Sequence, residues 1–263
     1  MLDEGFRRLQ MVTSPIVKLT RARTLVLMSD IHIGAEEHCE KEFDEALRWV
    51  KENDAMLVLN GDIVENAIVS GSSPGEKLIG QAELPTEQMK IAISKFKPLA
   101  KKGRIAGITR GNHDARTRRE ALLDLCDLLA HAIGVDYWGV GGLFRVQAGT
   151  EWYHGAMHHG RSGAQNIWLE LDKLMKLYPS AEFVACGHNH HLASREVYSI
   201  GVSREGSEAV KQRHQIRTGS FLGYPDYVRE MALLPQKVGC PILRFEAKSH
   251  QFSVDVDTLS WVP

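Results

Sequence analysis

Side chains of the kind that ligate metals recur along this 263-residue chain in short blocks. Asp30-x-His32 is followed by Asp62, then Asn112-His113-Asp114, then the doublet His158-His159, and finally His188-x-His190. Imidazoles, carboxylates and an amide, with no thiolate among them, make a mixed nitrogen–oxygen donor set. Such a set suits borderline divalent ions (Mn, Fe, Zn, Co or Ni) rather than a soft metal held by cysteines. Asp-x-His and His-x-His can each place both side chains on one ion where the backbone turns just past a strand. A carboxylate set between the other blocks, as Asp62 is, can bridge two ions. A pair of ions ~3.5–4 Å apart clamps the oxygens of a phosphoryl centre and generates a bound hydroxide near neutral pH.

The blocks must be positioned, and the sequence shows by what. Residues 24–29 (TLVLMS) lead into Asp30, 55–60 (AMLVLN) into Gly61-Asp62, 104–109 (RIAGIT) into Gly111-Asn112, and 182–186 (EFVAC) into Gly187-His188. Apolar runs this short, without a helical stripe, are predicted as buried strands. Two further strands, 143–148 and 151–157 around Gly149-Thr150, precede His158-His159. Phe43, Ala46, Leu47 and Val50 fall at i, i+3, i+4 and i+7, the pattern of an amphipathic helix over 39–53. Other helices are predicted over 86–101, over 118–133 with Leu122, Leu125, Leu129 and Ile133 on one face, and over 165–177. Strands are predicted near 193–202, 214–218, 241–247 and 251–256. The stretch 66–85, rich in Gly, Ser and Pro, reads as a long functional loop, and residues 1–20 as an N-terminal arm or first strand. Strands alternate with helices early and run together later. That order fits a single α/β (α+β) domain over 1–263, with helices outside packed sheets. In such folds ligands gather beyond the carboxyl ends of strands, so the blocks could meet in one crevice.

Composition narrows the classes. Hydrophobic residues make up 43% and charged residues 25%, with a formal net charge of −1. No global field pulls the chain toward nucleic acid or membrane, although a local basic patch is compatible with that balance. Cys39, Cys126, Cys186 and Cys240 lie far apart without a CxxC pair, so neither structural zinc nor a disulfide framework is expected. The first residues carry no apolar signal core, and no uncharged apolar run reaches ~18 residues. A cytoplasmic protein without a membrane partner is expected.

Taken in order, Asp30-x-His32, Gly61-Asp62-x-x-Glu65, Gly111-Asn112-His113-Asp114, His159-Gly160 and Gly187-His188-x-His190 resemble the calcineurin-like metallophosphoesterases. The resemblance spans residues 30–190 and implies two facing mixed β-sheets flanked by helices, a four-layer sandwich. It also implies two divalent metal ions, with manganese the leading candidate and Fe, Zn, Co or Ni the others. Carried over by position, Asp30, His32 and His190 would bind the first ion, Asn112, His159 and His188 the second, and Asp62 would bridge them. His113 would act as general acid rather than ligand, with Asp114 orienting its ring. Glu65 stands where many members carry Asp or Asn; since bridging falls to Asp62, the ligand set does not depend on it. The register at 158–159 stays open, with His159 preferred because it directly precedes Gly160. Strand alternation forbids both rings from facing the same way.

The resemblance implies hydrolysis of a phosphate ester by metal-bound hydroxide. A phosphodiester of nucleic-acid or nucleotide type is favoured, because Ser29-Asp30-Ile31-His32-Ile33-Gly34 resembles the opening block of nuclease-type members. A phosphomonoesterase or protein phosphatase is the alternative, and an inactive binding module of the same fold a more distant one. Arg110, just before Gly111, and Arg161, just after Gly160, are the candidate substrate-binding arginines. Arg116, Arg118 and Arg119 read as the solvated start of a helix. His191 reads as a neighbour of the ligands, and His38, His131, His154, His214 and His250 as ordinary histidines. Tyr224 and Tyr227 could stack on a base but read more simply as core.

Overall fold

Apolar runs at 24–28, 56–60 and 105–109 make strands because their side chains are wanted on both faces of one sheet. In the computed structural model, which describes residues 14–68, 81–161, 166–202, 206–224 and 234–262, they form β2 (Thr24–Met28), β3 (Met56–Asn60) and β4 (Ile105–Thr109). The three run parallel, and β11 (Ile242–Phe245) and β12 (Phe252–Asp255) extend the sheet antiparallel in the order β12-β11-β2-β3-β4. A second, six-stranded sheet has the order β1-β5-β6-β7-β9-β8. It comprises β1 (Ile16–Lys18), β5 (Gly142–Ala148), β6 (Glu151–His158), β7 (Phe183–Cys186), β8 (Leu192–Val202) and β9 (Glu208–Thr218). Within it β6, β7 and β9 are parallel neighbours. A small ribbon pairs β10 (Val238–Gly239) with β13 (Ser260–Trp261).

Alternation along the strands sets the layers. Leu25, Leu27, Met56 and Val58 point inward to meet Phe144, Val146, Tyr153, Phe183 and Ala185 of the second sheet. Their neighbours Val26, Met28, Leu57 and Leu59 point outward. There they meet Phe43 and Val50 of α1 (Glu40–Glu52), Phe96 of α2 (Pro85–Ala100) and Leu129 of α4 (Leu125–Ile133). On the far side Ala156, Val184 and Cys186 pack on Leu171 and Leu174 of α5 (Leu169–Leu177). The result is helix, sheet, sheet, helix. Each fully buried aromatic or aliphatic side chain in these layers stabilises the fold by about 1.5–3 kcal/mol.

The expected helix over 118–133 is two helices. α3 (Ala115–Ala121) ends at Leu122, which takes a left-handed φ of 57° and is 91% exposed. Asp124 then restarts the chain as the N-cap of α4, accepting from the Asp127 N–H at 3.3 Å. Leu125, Leu129 and Ile133 are buried as the stripe requires; Leu122 is not. The expectations for the first thirteen residues, for most of the 66–85 loop and for Tyr227 fall outside the described residues. All four cysteines are free thiols. Among the described residues no helix is long and apolar enough to cross a membrane.

Candidate metal centre

Parallel strands deliver their carboxyl ends to one side. Asp30 lies two residues past β2, Asp62 two past β3, His188 two past β7, and His159 directly follows β6. The loops that carry these residues are laced together by backbone. The N–H groups of Asp30, Ile31 and His32 donate to the carbonyls of Gly61 and Asp62 at 2.8–3.1 Å. Gly61 and Gly111 permit the next contact: a Cβ on Gly61 would lie 2.3 Å from the Gly111 nitrogen, and one on Gly111 2.1 Å from Asp62 Oδ1. Ten non-glycine residues among those described have positive φ, and five of them are Asp30, His32, Asp62, His188 and His190. That conformation costs an L-residue of order 1–3 kcal/mol and persists only where the surroundings impose it, most often at functional sites.

The side chains then converge. Asp30, His32 and His190 form one group whose ligating atoms lie within 4.8 Å of one another, and Asp62, His159 and His188 form another. His190 Nε2 lies 3.4 Å from Asp30 Oδ1, and His159 Nε2 is 3.0 Å from Asp62 Oδ2 and 3.0 Å from Asn112 Oδ1. A third grouping joins His32, Asp62 and His113.

Two observations test whether this set fits cations. His32 gives Nδ1 to Glu65 Oε2 at 2.7 Å, which leaves its buried Nε2 with no hydrogen-bond partner. An orphaned buried acceptor needs a cation or proton to face. His159 is turned the same way: Nδ1–H donates to the Asn60 carbonyl at 2.7 Å, so Nε2 confronts two oxygens. Burial lowers the His159 pKa, yet Asp62 and Asp30 outweigh it and push the ring up to about 10. Burial would raise Asp30, but His159 and His190 hold it at about 2. Asp62 is likewise held well below the carboxylate range by His159 and His113, against the pull of burial. Buried acceptors crowd around positions that call for positive charge, so the donor set fits divalent ions.

His158 turns away to hydrogen-bond Tyr178 at 2.7 Å, so His159 is the ring that faces the site. His191 bonds the Asn189 carbonyl and stands outside both groups. Asp114 corrects an expectation. Its carboxylate does not meet the His113 ring; it accepts from the backbone N–H of Asp62 at 2.7 Å and of Gly111 at 3.1 Å, tying two loops together. Burial, reinforced by Asp62, raises it to about 6. The partner of His113 is Glu65, whose carbonyl lies 3.1 Å and whose Oε1 lies 3.2 Å from Nδ1. Glu65 thus orients both His32 and His113, a role that its spacing from Asp62 did not reveal.

The arginines divide differently from the expected pair. Arg110 is spent on Asp124, with an ion pair of 2.9 Å, and faces a separate cavity of 430 Å³ bordered by Leu122, Leu128 and Val140. Asp124, which also accepts from the Tyr137 hydroxyl, draws it toward the start of α4 instead of the clusters. Arg161 does border the site, in a cleft of 360 Å³ lined also by Asn112, Arg116, Arg119 and His188. Arg116 and Arg119 carried a signal that was available. Residues three apart share a helix face, whereas Arg118 lies on another.

No curated protein sequence matches the chain. Among solved structures it is similar to the YfcE phosphoesterase of E. coli, with 14% identity over 89% of this chain and 98% of that one and a TM-score of 0.41. It is similar also to Vps29 of Entamoeba histolytica complexed with zinc, with 9% identity over 88% and 97% and a TM-score of 0.40. A hypothetical protein of Pyrococcus horikoshii gives 10% identity over 89% and 87%, with a TM-score of 0.44. The model of the calcineurin-like phosphoesterase family matches residues 23–192, more than half of the sequence. That match runs from the strand that delivers Asp30 to the loop that delivers His190, and the chain belongs to the calcineurin-like phosphoesterase family.

Proposed function

We propose that the chain hydrolyses phosphodiesters at two divalent ions. Asp30, His32 and His190 would hold one, Asn112, His159 and His188 the other, with Asp62 between them. The observation that carries this reading is the pairing of two ligand groups with an arginine-lined cleft at the second. Manganese is the leading ion in this reading, and zinc, as found with the Entamoeba Vps29, is an alternative. Bound ions of this kind polarise phosphoryl oxygens and acidify water.

The chain's own residues supply the rest. His113 receives its orientation at Nδ1 from Glu65, and its Nε2, which faces the Arg116 guanidinium, would carry a proton to the leaving oxygen once substrate draws that guanidinium away. Burial lowers its pKa, but Asp62 and Glu65 more than offset this and raise it. Arg116, held on one side by Glu65 and with its other guanidinium nitrogen 3.0 Å from that Nε2, would exchange the imidazole for a non-bridging oxygen when substrate enters. Asp62 Oδ1 accepts the His113 backbone N–H at 2.7 Å, so the acid and the shared carboxylate hold a fixed spacing.

The test is turnover of bis-p-nitrophenyl phosphate against p-nitrophenyl phosphate with added manganese. A higher kcat/KM on the diester is expected. A clear monoester preference refutes the diesterase reading in favour of a phosphomonoesterase, and no turnover of either by metal-loaded protein points to a binding module.

A further inference from the structure

Resting on that diesterase reading, the arginines of the cleft specify more than one phosphate. Asn112 and His188 tie the cleft to the second ligand group, so its guanidiniums extend from that side of the centre and not from the Asp30–His32–His190 side. Arg116 is already engaged, donating to the Glu65 carbonyl at 2.9 Å and to Glu65 Oε1 at 3.1 Å. Arg119 and Arg161 are not: among the described residues neither guanidinium has an ion-pair or hydrogen-bond partner. Five arginines elsewhere are paired with acids, as Arg104–Asp54, Arg110–Asp124, Arg195–Asp172, Arg217–Glu170 and Arg244–Asp255, while Arg23 and Arg213 donate to backbone carbonyls.

The two free guanidiniums also come from unrelated elements, one from α3 and one from the turn after β6, and border one cleft only because the fold closes there. A local run of charge would not do this. A diester phosphate has two non-bridging oxygens and one negative charge, which the ligand groups and Arg116 suffice to engage. Two further planar forks beside it have work only if another phosphate follows. The net charge of −1 leaves no general basic field to explain them.

We infer that Arg119 and Arg161 form a second phosphate subsite, so that the chain selects substrates in which the scissile phosphodiester is followed by another phosphate. A nucleic-acid strand has that chemistry, and a nucleoside polyphosphate shares the adjacent phosphate, with an anhydride in place of the second ester. With the manganese-loaded full chain, kcat/KM is compared for a thymidine dinucleotide, which has a single phosphodiester, and for the trinucleotide. The added phosphate is expected to raise kcat/KM at least tenfold. The Arg119→Gln/Arg161→Gln pair should reduce that ratio to about twofold, and the corresponding Lys pair, which keeps charge but loses the fork, should fall between.

A readout independent of turnover is binding of an oligothymidylate to the same proteins across a salt series. Each guanidinium removed should lower the log–log slope by about 0.7 for a single strand. Inorganic triphosphate as competitor separates the sources. Displacement at matched concentration assigns a polyphosphate, and displacement by oligonucleotide alone assigns a strand. Equal kcat/KM on the two oligonucleotides, with bis-p-nitrophenyl phosphate still hydrolysed, overturns the subsite and leaves the diesterase reading standing. If no diester is turned over, that reading fails instead, and a salt slope unmoved by the Gln pair would sink the subsite separately.

Discussion

Replacing Glu65 with Gln should weaken the Asp30–His32–His190 site while sparing the other. Glu65 is mostly buried, and its carboxylate serves two rings and a guanidinium: His32 Nδ1 at 2.7 Å, His113 Nδ1 at 3.2 Å and Arg116 at 3.1 Å. Burial opposes its ionisation, yet His113 and His32 hold it far below the usual carboxylate range. Gln preserves the volume but offers one acceptor oxygen and an NH₂ group. If the oxygen stays with His32, the NH₂ confronts two donors; if it turns, His32 loses its anchor. Losing a charge-assisted bond of this type costs about 1.5–3 kcal/mol. At 1.4 kcal/mol per factor of ten, that corresponds to roughly 10- to 100-fold in affinity, in line with other partners that orient metal-binding histidines. His159 takes its orientation from the Asn60 carbonyl instead, so the second site should change by less than about threefold, a margin that matches the small effect of distant sites. Competition titration with a chromophoric chelator resolves the two affinities. Wild-type affinity at both sites in Glu65→Gln, or an equal loss at both, would refute the assignment of Glu65 as the anchor of His32.

Other outcomes follow from the same geometry. His113→Ala should lower kcat on a diester by around 10²–10⁴-fold with metal content unchanged by atomic absorption, and loss of metal would make His113 a ligand instead. The metal-free protein should lose thermal stability as pH rises. With His159 raised to about 10 from an ordinary 6.5, its contribution is full below about pH 6.5 and is lost through about pH 10. Saturating manganese should flatten that fall in a melting series, because the ion takes the place of the proton; an unchanged slope would contradict the ligand role of His159.

The parts of the molecule that were legible in the sequence are those in which a local pattern alone decides. Phe43, Ala46, Leu47 and Val50 are all buried, because a helix against a sheet needs no more than that stripe. β2, β3 and β4 read as unbroken apolar runs since each is covered on both faces. The order of ligand blocks was equally open to view, as each comes where an apolar run ends. Side-chain direction beyond the strand ends was not. Asp114 adjoins His113 in sequence, yet the turn at 112–114 sends its carboxylate to the amides of 62 and 111, and only the path of the neighbouring loop reveals it. Glu65 reaches two rings from a stretch in which Asp62 and Asn66 on either side of it adopt left-handed backbone, a conformation those residue types permit but do not dictate. Arg110 looked better placed than Arg116, but one neighbouring acid, Asp124, was enough to turn it away.

These failures share a cause that bears on how the centre works. Five candidate ligands sit in a conformation that costs each of them of order 1–3 kcal/mol, and no helix or strand propensity repays that. The compensation lies in the loops. Asp30 accepts from the His188 backbone N–H at 3.0 Å and from Ser29, Asp62 accepts from the His113 N–H, and Asp114 accepts from the backbone N–H groups of 62 and 111. Each carboxylate that faces the centre is therefore fixed by an amide from a different loop, so it cannot turn away to relieve the crowding. A centre built this way holds its acceptors close before any cation arrives, at the expense of the metal-free fold. Ligand geometry is then set by the backbone of both sheets, and ions that bind only the folded chain would stabilise it by about 2.7 kcal/mol at a hundred times their dissociation constant.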